Sequence, residues 1–162
     1  MKVHLTACFC LLIAAMLPGE TFLLLAGETR NGETGPQFYR SREGLLDAFY
    51  EAGHISFDMP FDGNNGDWDL PHFAEPILIA RGGGARYLAA AQITTDLSLS
   101  EEEFHIEGQA RFALWDVEKK EMVDQGTFSI DEQGEKIDYE QTQYRIGWQL
   151  GQELIRIWVD NH

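Results

Sequence analysis

The stretch from Phe104 to Trp115 sets the tightest limit on what this chain can become. Phe104, Ile106, Gly108, Ala110, Phe112 and Leu114 alternate with His105, Glu107, Gln109, Arg111 and Trp115, and only Ala113 blurs the pattern. A period of two sends alternate side chains to opposite faces, so this is a β-strand with one buried and one wet face. The polar turn "DVEKKE" follows, and Met122 to Ile130 reads as the returning strand of a hairpin. Antiparallel sheets tolerate a solvated face, whereas parallel sheets are covered on both.

Upstream the pattern changes. "RYLAAAQITTDL", Arg86 to Leu97, carries apolar residues on both faces, as a central strand of a covered sheet does. His54 to Met59 alternates through Ile55, Phe57 and Met59, a half-buried strand. Before it, Leu45, Leu46 and Phe49 share one helical face behind a candidate N-cap at Ser41, and Gly53 closes that helix. A second helix opens at Pro71 with Asp69 near its cap and buries Phe73, Ile77 and Ala80. Pro76, one turn in, predicts a late start or a distortion, and Gly82-Gly83-Gly84 stops the helix. Asp131 to Lys136 reads as a loop. Asp138 to Trp158 reads as a long helix with a stripe of Tyr139, Gln143, Ile146, Leu150, Leu154 and Ile157. Gly147 and Gly151 lie one turn apart on it and permit close packing.

The start of the chain offers two incompatible readings. Met1-Lys2-Val3-His4 precedes an apolar run of 13 residues, Leu5 to Leu17. A basic start before such a run marks a secretory signal, and the run is shorter than the roughly 20 residues of a membrane span. Phe22-Leu23-Leu24-Leu25-Ala26 is then either the tail of that signal or the first strand of the mature protein. The strand reading gives the first helix a partner, so cleavage is expected near Gly19, with cleavage after Ala26 as its rival. Residues 1–19 are then a signal peptide and residues 20–162 a single mixed α/β domain. The order is β-α-β-α-β-β-β-α. Helical crossovers make the first strands parallel and tight turns make the last ones antiparallel. The expected fold is a mixed sheet of about five strands with helices packed on it.

Charge and cysteine usage narrow the partners. Both cysteines, Cys8 and Cys10, lie inside the signal. Leu5-Thr6-Ala7-Cys8 matches a lipoprotein processing site, but the apolar run follows Cys8 instead of closing at it. The mature chain then has neither disulfides nor thiolate metal sites, which for an exported protein points to a bacterial envelope. Beyond residue 19 there are 11 basic and 27 acidic residues, a net charge of −16. Such a surface repels nucleic-acid phosphates and anionic lipid headgroups, so neither is expected as a direct ligand.

Motifs for chemistry are weak. "DGNNGDWD" places Asp62, Asn64, Asp67 and Asp69 in one loop. Counted from Asp62, the glycine of an EF-type calcium loop comes one place early, at Gly66, and the twelfth position is Phe73 rather than a glutamate. An Asx- and Gly-rich turn is the better reading, and no metal is assigned. His54, His72, His105 and His162 form no closely spaced ligand pair. "GGGAR" lies at a helix C-terminus, whereas phosphates bind helix N-termini. No nucleophile elbow exists, so no catalytic residue and no cofactor are assigned. Trp68, in the loop between strand and helix, and Trp115, on the polar side of its strand, are expected to be exposed. Exposed aromatics favour protein interfaces, which makes Trp68 and Trp115 the candidate partner-binding residues.

"ARYLAAAQITTDL" resembles the strand after the second helix in a group of bacterial envelope domains, and "RFALWDVEKKEMVDQGTFSI" resembles their next hairpin. The group includes the N-terminal domain of the Tol–Pal translocation protein, the curli secretion pore subunit and the lipoprotein activators of penicillin-binding proteins. The order of elements matches from about Thr21 onward; Cys8 is a poor match to the group's lipid-attachment cysteine, because the apolar run follows it, and the pore-forming hairpins of the curli protein are not found. The resemblance implies a non-enzymatic periplasmic domain that binds other envelope proteins, and it supplies no site residues. The expected function is thus a protein-binding or assembly module whose partner is another envelope protein. The rival readings are a small-ligand carrier and a hydrolase whose site is assembled only in three dimensions.

Overall fold

The computed structural model of the protein describes residues 19–34, 39–61 and 68–162. Residues 1–18 of the expected signal peptide, residues 1–19, and the loop residues 62–67 lie outside that set. The elements run β1 (Thr21–Arg30), β2 (Glu33–Thr34), α1 (Arg40–Glu51), β3 (Ile55–Pro60), α2 (Leu70–Gly82), β4 (Tyr87–Leu99), β5 (Glu103–Asp116), β6 (Glu121–Glu135) and α3 (Tyr139–Asp160), with a 3-10 turn at Lys136–Asp138.

One mixed sheet holds all the strands. β1 lies between β3 and β4 and is parallel to both, while β4, β5 and β6 follow as an antiparallel meander. The Phe22–Ala26 segment is therefore an inner strand of the fold. Phe22, Leu23, Leu24 and Leu25 are all fully buried. Side chains of this size contribute about 1.5–3 kcal/mol each on burial, so together they rival the whole net stability of a domain, about 5–15 kcal/mol. The chain moves from β1 out to β3 and then back past β1 to β4. Right-handed crossovers in opposite directions must lie on opposite faces of a sheet. Accordingly α1 packs on one face and α2 on the other.

The two faces differ in cover. On the first, α1 and α3 bury Phe22, Leu24, Tyr87, Ala89, Phe104 and Phe112. The stripe read on α3 is the one that packs: Gln143, Ile146, Leu150, Leu154 and Ile157 are buried and Tyr139 is partly so. α1 and α3 touch backbone to backbone. A Cβ on Gly147 would overlap the Ser41 carbonyl, and one on Gly44 would overlap the Tyr144 carbonyl. On the second face α2 is the one helix among the described residues. Its Phe73, Ile77 and Ala80 cover Leu23, Leu25, Leu88 and Ala90, and none of the described residues covers the far end of that face.

Local signals behave largely as the residues suggest. Asp69 caps α2, accepting from the His72 N–H at 3.1 Å, and Pro71 occupies the first turn. Gly53 follows the end of α1 with φ +79°, the left-handed conformation a C′ residue takes. Pro76 sits inside a continuous α2. Four expectations need correction. β1 runs on to Arg30, because β4 is long enough to pair Gly27–Arg30 with Gln92–Thr95. Ser41 lies within α1; Tyr39 precedes the helix without a side-chain cap, and the Ser41 hydroxyl donates to Glu28 instead. The loop expected at Asp131–Lys136 is strand as far as Glu135, because β5 starts at Glu103 and holds it in register. Trp68 and Trp115 are not exposed; they are 5% and 3% accessible.

Candidate functional site

The alternation in β5 has the consequence the sequence implied, but only over half the strand. Near the β5–β6 turn both faces are covered, since α2 and its neighbours reach Ala113 and Trp115. The Phe73 and Trp115 ring centres lie 5.2 Å apart, and Trp68 packs against Phe61 and Phe73. Trp115 is thus on the face the alternation assigned, but that face is covered there. Period two specifies a face and cannot specify its cover. At the surface edge of this cluster the Arg111 guanidinium lies over the Trp68 ring, 4.5 Å from its centre, a cation–π arrangement.

Beyond Arg111 the second face of β4, β5 and β6 is open. Thr94, Asp96 and Ser98 on β4 are exposed, as are Glu103, His105, Glu107 and Gln109 on β5. So are Thr127, Ser129, Asp131, Gln133 and Glu135 on β6. Strand register arranges these residues in rows. Asp96 is paired with Glu107, and Glu107 with Asp131, so three carboxylates run across three strands. Ser98, His105 and Gln133 form the next row, and Glu103 faces Glu135 in the one after. Like charges directly opposite on a sheet destabilise it. His105 Nε2 lies 2.9 Å from Asp131 and is the one ring or cation paired with this ladder among the described residues. The far end opens into a cleft of about 600 Å³, lined by Ser98, Leu99, Glu103, His105, Gln133 and Glu135.

The open face ends in an unpaired strand. β6 has 15 residues and, among the described residues, pairs only with β5. Strands typically have about 5–6 residues, and exposed edges are usually short or blunted. Between the Leu114–Asp124 and Trp115–Met122 pairs Val123 is left over, so a bulge bends the start of β6. The other edge, β3, has six residues and ends at Pro60.

A second polar cluster is buried under the first face. Arg30 bonds Glu28 and the Tyr139 hydroxyl, Glu28 accepts from Ser41, and the Gln143 amide oxygen faces the same guanidinium. The Glu28 and Arg30 side chains are only 8% and 13% accessible. Burial pushes the Tyr139 hydroxyl above its ordinary range, opposed by the positive charge of Arg30. The cluster ties the end of β1 to the starts of α1 and α3. Its members satisfy one another around a void too small for a ligand. It is a structural tie, since buried charges persist when paired.

Of the histidines, His54 is buried between Phe22 and Trp158 and accepts from the Glu20 N–H at 3.2 Å. Burial lowers its pKa, with Glu20 acting in the other direction. His162 bridges the Tyr87 hydroxyl, at 2.6 Å, and the Trp158 carbonyl. Of the oxygen-bearing residues weighed and rejected as a calcium loop, Asp69 alone is among the described residues, and it serves as the α2 cap. Among the described residues no group of three or more His, Cys, Asp or Glu could hold a metal. No helix among them is long and apolar enough to cross a membrane.

The fold and its half-open sheet define a class: a small α/β domain in which two parallel crossovers precede an antiparallel meander. No protein-family model matches the chain, and no curated protein matches it. Solved structures do. The PelC dodecamer from Paraburkholderia phytofirmans aligns with TM-score 0.54 at 11% identity, over 82% of this chain and 86% of that one. Protein XCC0632 from Xanthomonas campestris aligns with TM-score 0.50 at 13% identity, over 90% and 89%. The LpoB C-terminal domain from Salmonella enterica also matches, with TM-score 0.46 at 16% identity, over 72% and 86%. The small mixed α/β fold read from the sequence is thus shared with the PelC subunit and with XCC0632.

The carboxylate ladder was missed in the sequence. Asp96, Glu107 and Asp131 are far apart in the chain, and nothing in a single strand marks them. Only the pairing register brings them side by side. A partial signal was present: a polar half-strand with Glu at alternating positions, in a chain of strong negative charge.

Proposed function

We propose that the protein is an exported, non-enzymatic binding module of a bacterial envelope, and that it docks another envelope protein on the open half of its sheet. The observation that carries this reading is the bare face of β4–β6 with its row of opposed carboxylates. A solvated sheet face is ordinary in antiparallel sheets. A solvated face that stacks like charges in register costs stability, and that cost is offset if a partner supplies the counter-charges. Export rests on the basic start, the apolar run and a mature chain without cysteine. The envelope setting rests on those features and on the sequence resemblance.

In this reading Trp68 and Trp115 act from beneath the surface. Trp68 holds Arg111, the cation at the border of the open face, and Trp115 fills the core below it.

Affinity purification of the tagged, exported protein from a mild-detergent envelope extract tests the reading, with the mature N-terminus sequenced from the same sample. One stoichiometric envelope protein on a chain starting near Glu20 supports it. A chain starting at Gly27 or later that retains no partner contradicts it.

A further inference from the structure

We infer that the open half of the sheet takes one kind of occupant: an extended, lysine- or arginine-bearing segment of the partner, added as a new strand on the outer edge of β6. This rests on the protein-binding reading and narrows it to a partner chemistry.

Three features converge on that edge. First, β6 offers a long row of backbone groups with no strand of the described residues beside it, and an unpaired edge is a template for another chain. Second, the strand is one-signed. It carries Glu121, Asp124, Asp131, Glu132 and Glu135 and no Lys or Arg. Two β6 edges brought together would add carboxylate to carboxylate, so a second copy of this chain is a poor occupant there. The β3 edge is a poor one too, because it is short and ends at Pro60, which has no N–H to give. Third, the carboxylate rows run across the sheet toward the β6 edge and stop there. Asp96, Glu107 and Asp131 make one row; Glu103 and Glu135 make another, beside the open cleft.

Strand geometry then states what the added segment carries. Side chains alternate along a strand, and neighbouring strands lie about 4.8 Å apart. Asp131, Gln133 and Glu135 are the β6 positions on the open face at that end. The residues that come to lie beside Asp131 and Glu135 are four apart in the added strand, and these are the basic ones. Each extends a row of like charges with an opposite charge. The position between them faces Gln133 and is polar. On the other face the added strand passes Phe128 and Ile130, which favour apolar neighbours. Arg145 does not compete, because it pairs at 2.7 Å with Glu132 on the helix-covered side. His105 does compete for Asp131 and is displaced or shared.

The test uses the full exported protein and a ten-residue synthetic peptide with lysine every fourth residue, threonine midway between lysines and valine at the alternate positions, with a peptide carrying glutamate in place of lysine as control. Binding is read by calorimetry at low and moderate salt, and the location by amide hydrogen exchange. The lysine peptide is expected to bind, to weaken with salt and to protect β6 amides, while the control does not bind. The double variant D131N/E135Q is expected to weaken binding about tenfold or more, as losing charge-assisted pairs does. Glu107→Gln is expected to raise the melting temperature and still weaken binding, which no unfolded variant can do. Absence of binding at low salt, protection away from β6, or unchanged affinity in D131N/E135Q each overturns the inference. If the affinity purification still yields a partner in that case, the protein-binding reading stands and only the edge and its chemistry fall.

Discussion

The two halves of the sheet follow opposite rules. The parallel half, β3–β1–β4, is sandwiched between α1 with α3 on one side and α2 on the other. Its central strands read as unbroken apolar runs, FLLLA and YLAAA. The antiparallel half, β5–β6, is covered on one face and bare over most of the other, and its strands alternate. Crossover helices cover a sheet as a by-product of connecting parallel strands, whereas hairpins connect strands without covering anything. The crossover helices α1 and α2 thus cover the parallel half on opposite faces, while α3 covers one face of the antiparallel half and leaves the other free for contact.

This contrast makes unequal predictions. The largest concerns β1. A chain beginning at Gly27 lacks the strand that pairs with both β3 and β4 and is expected to show no cooperative unfolding transition by circular dichroism. A native-like transition would remove β1 from the account.

Next is the α1–α3 contact. An alanine in place of glycine inside a helix ordinarily gains about 1 kcal/mol. Gly147→Ala is nonetheless expected to lose about 1–3 kcal/mol in urea denaturation, because its methyl meets the Ser41 carbonyl and overpacking costs that much. A gain would mean that the helices sit further apart than described.

The open half is expected to respond in the opposite sense. Glu107→Gln removes the middle charge of three and is expected to stabilise by about 0.2–1 kcal/mol, the range of a cross-strand pair. A loss of stability would sink the idea that the ladder is held at a cost.

A milder effect distinguishes the covered half by pH. The pKa of His54 is lowered by burial, so between about 6.5, the ordinary value, and its lower folded value the unfolded chain binds more protons than the folded one. Stability therefore falls as the pH drops through that window and levels off below the folded value. His54→Gln is expected to flatten part of that slope in melting curves taken between pH 7.5 and 5. An unchanged slope would mean that His54 titrates as it does in the unfolded chain.

Much of the covered half was legible in the residues. Pro71, Phe73, Ile77 and Ala80 placed α2, and the stripe from Tyr139 to Ile157 placed α3, because helix signals are local. The element order and the class of fold followed from them. What escaped was set by partners distant in the chain. Trp115 sits on the face its alternation assigns, but α2, remote in sequence, determines that this end is covered. Ser41 reads as a cap by type, yet Glu28 engages its hydroxyl inside the helix. The reach of β1 to Arg30 and of β6 to Glu135 follows from the length of their neighbours. The carboxylate ladder exists only in register, so no single-strand pattern could display it.

The most direct test of the central claim compares the two surfaces in one experiment. A photo-crosslinking residue is placed at Gln109 or Ser129 on the open face, and in parallel at Tyr50 or Glu153 on the solvent side of α1 and α3. Each variant is illuminated in intact envelopes. The account predicts one crosslinked protein from Gln109 and Ser129 and none from the helix positions. Crosslinks from Tyr50 or Glu153, with Gln109 and Ser129 silent, would place the binding surface on the helix side of the sheet and contradict it.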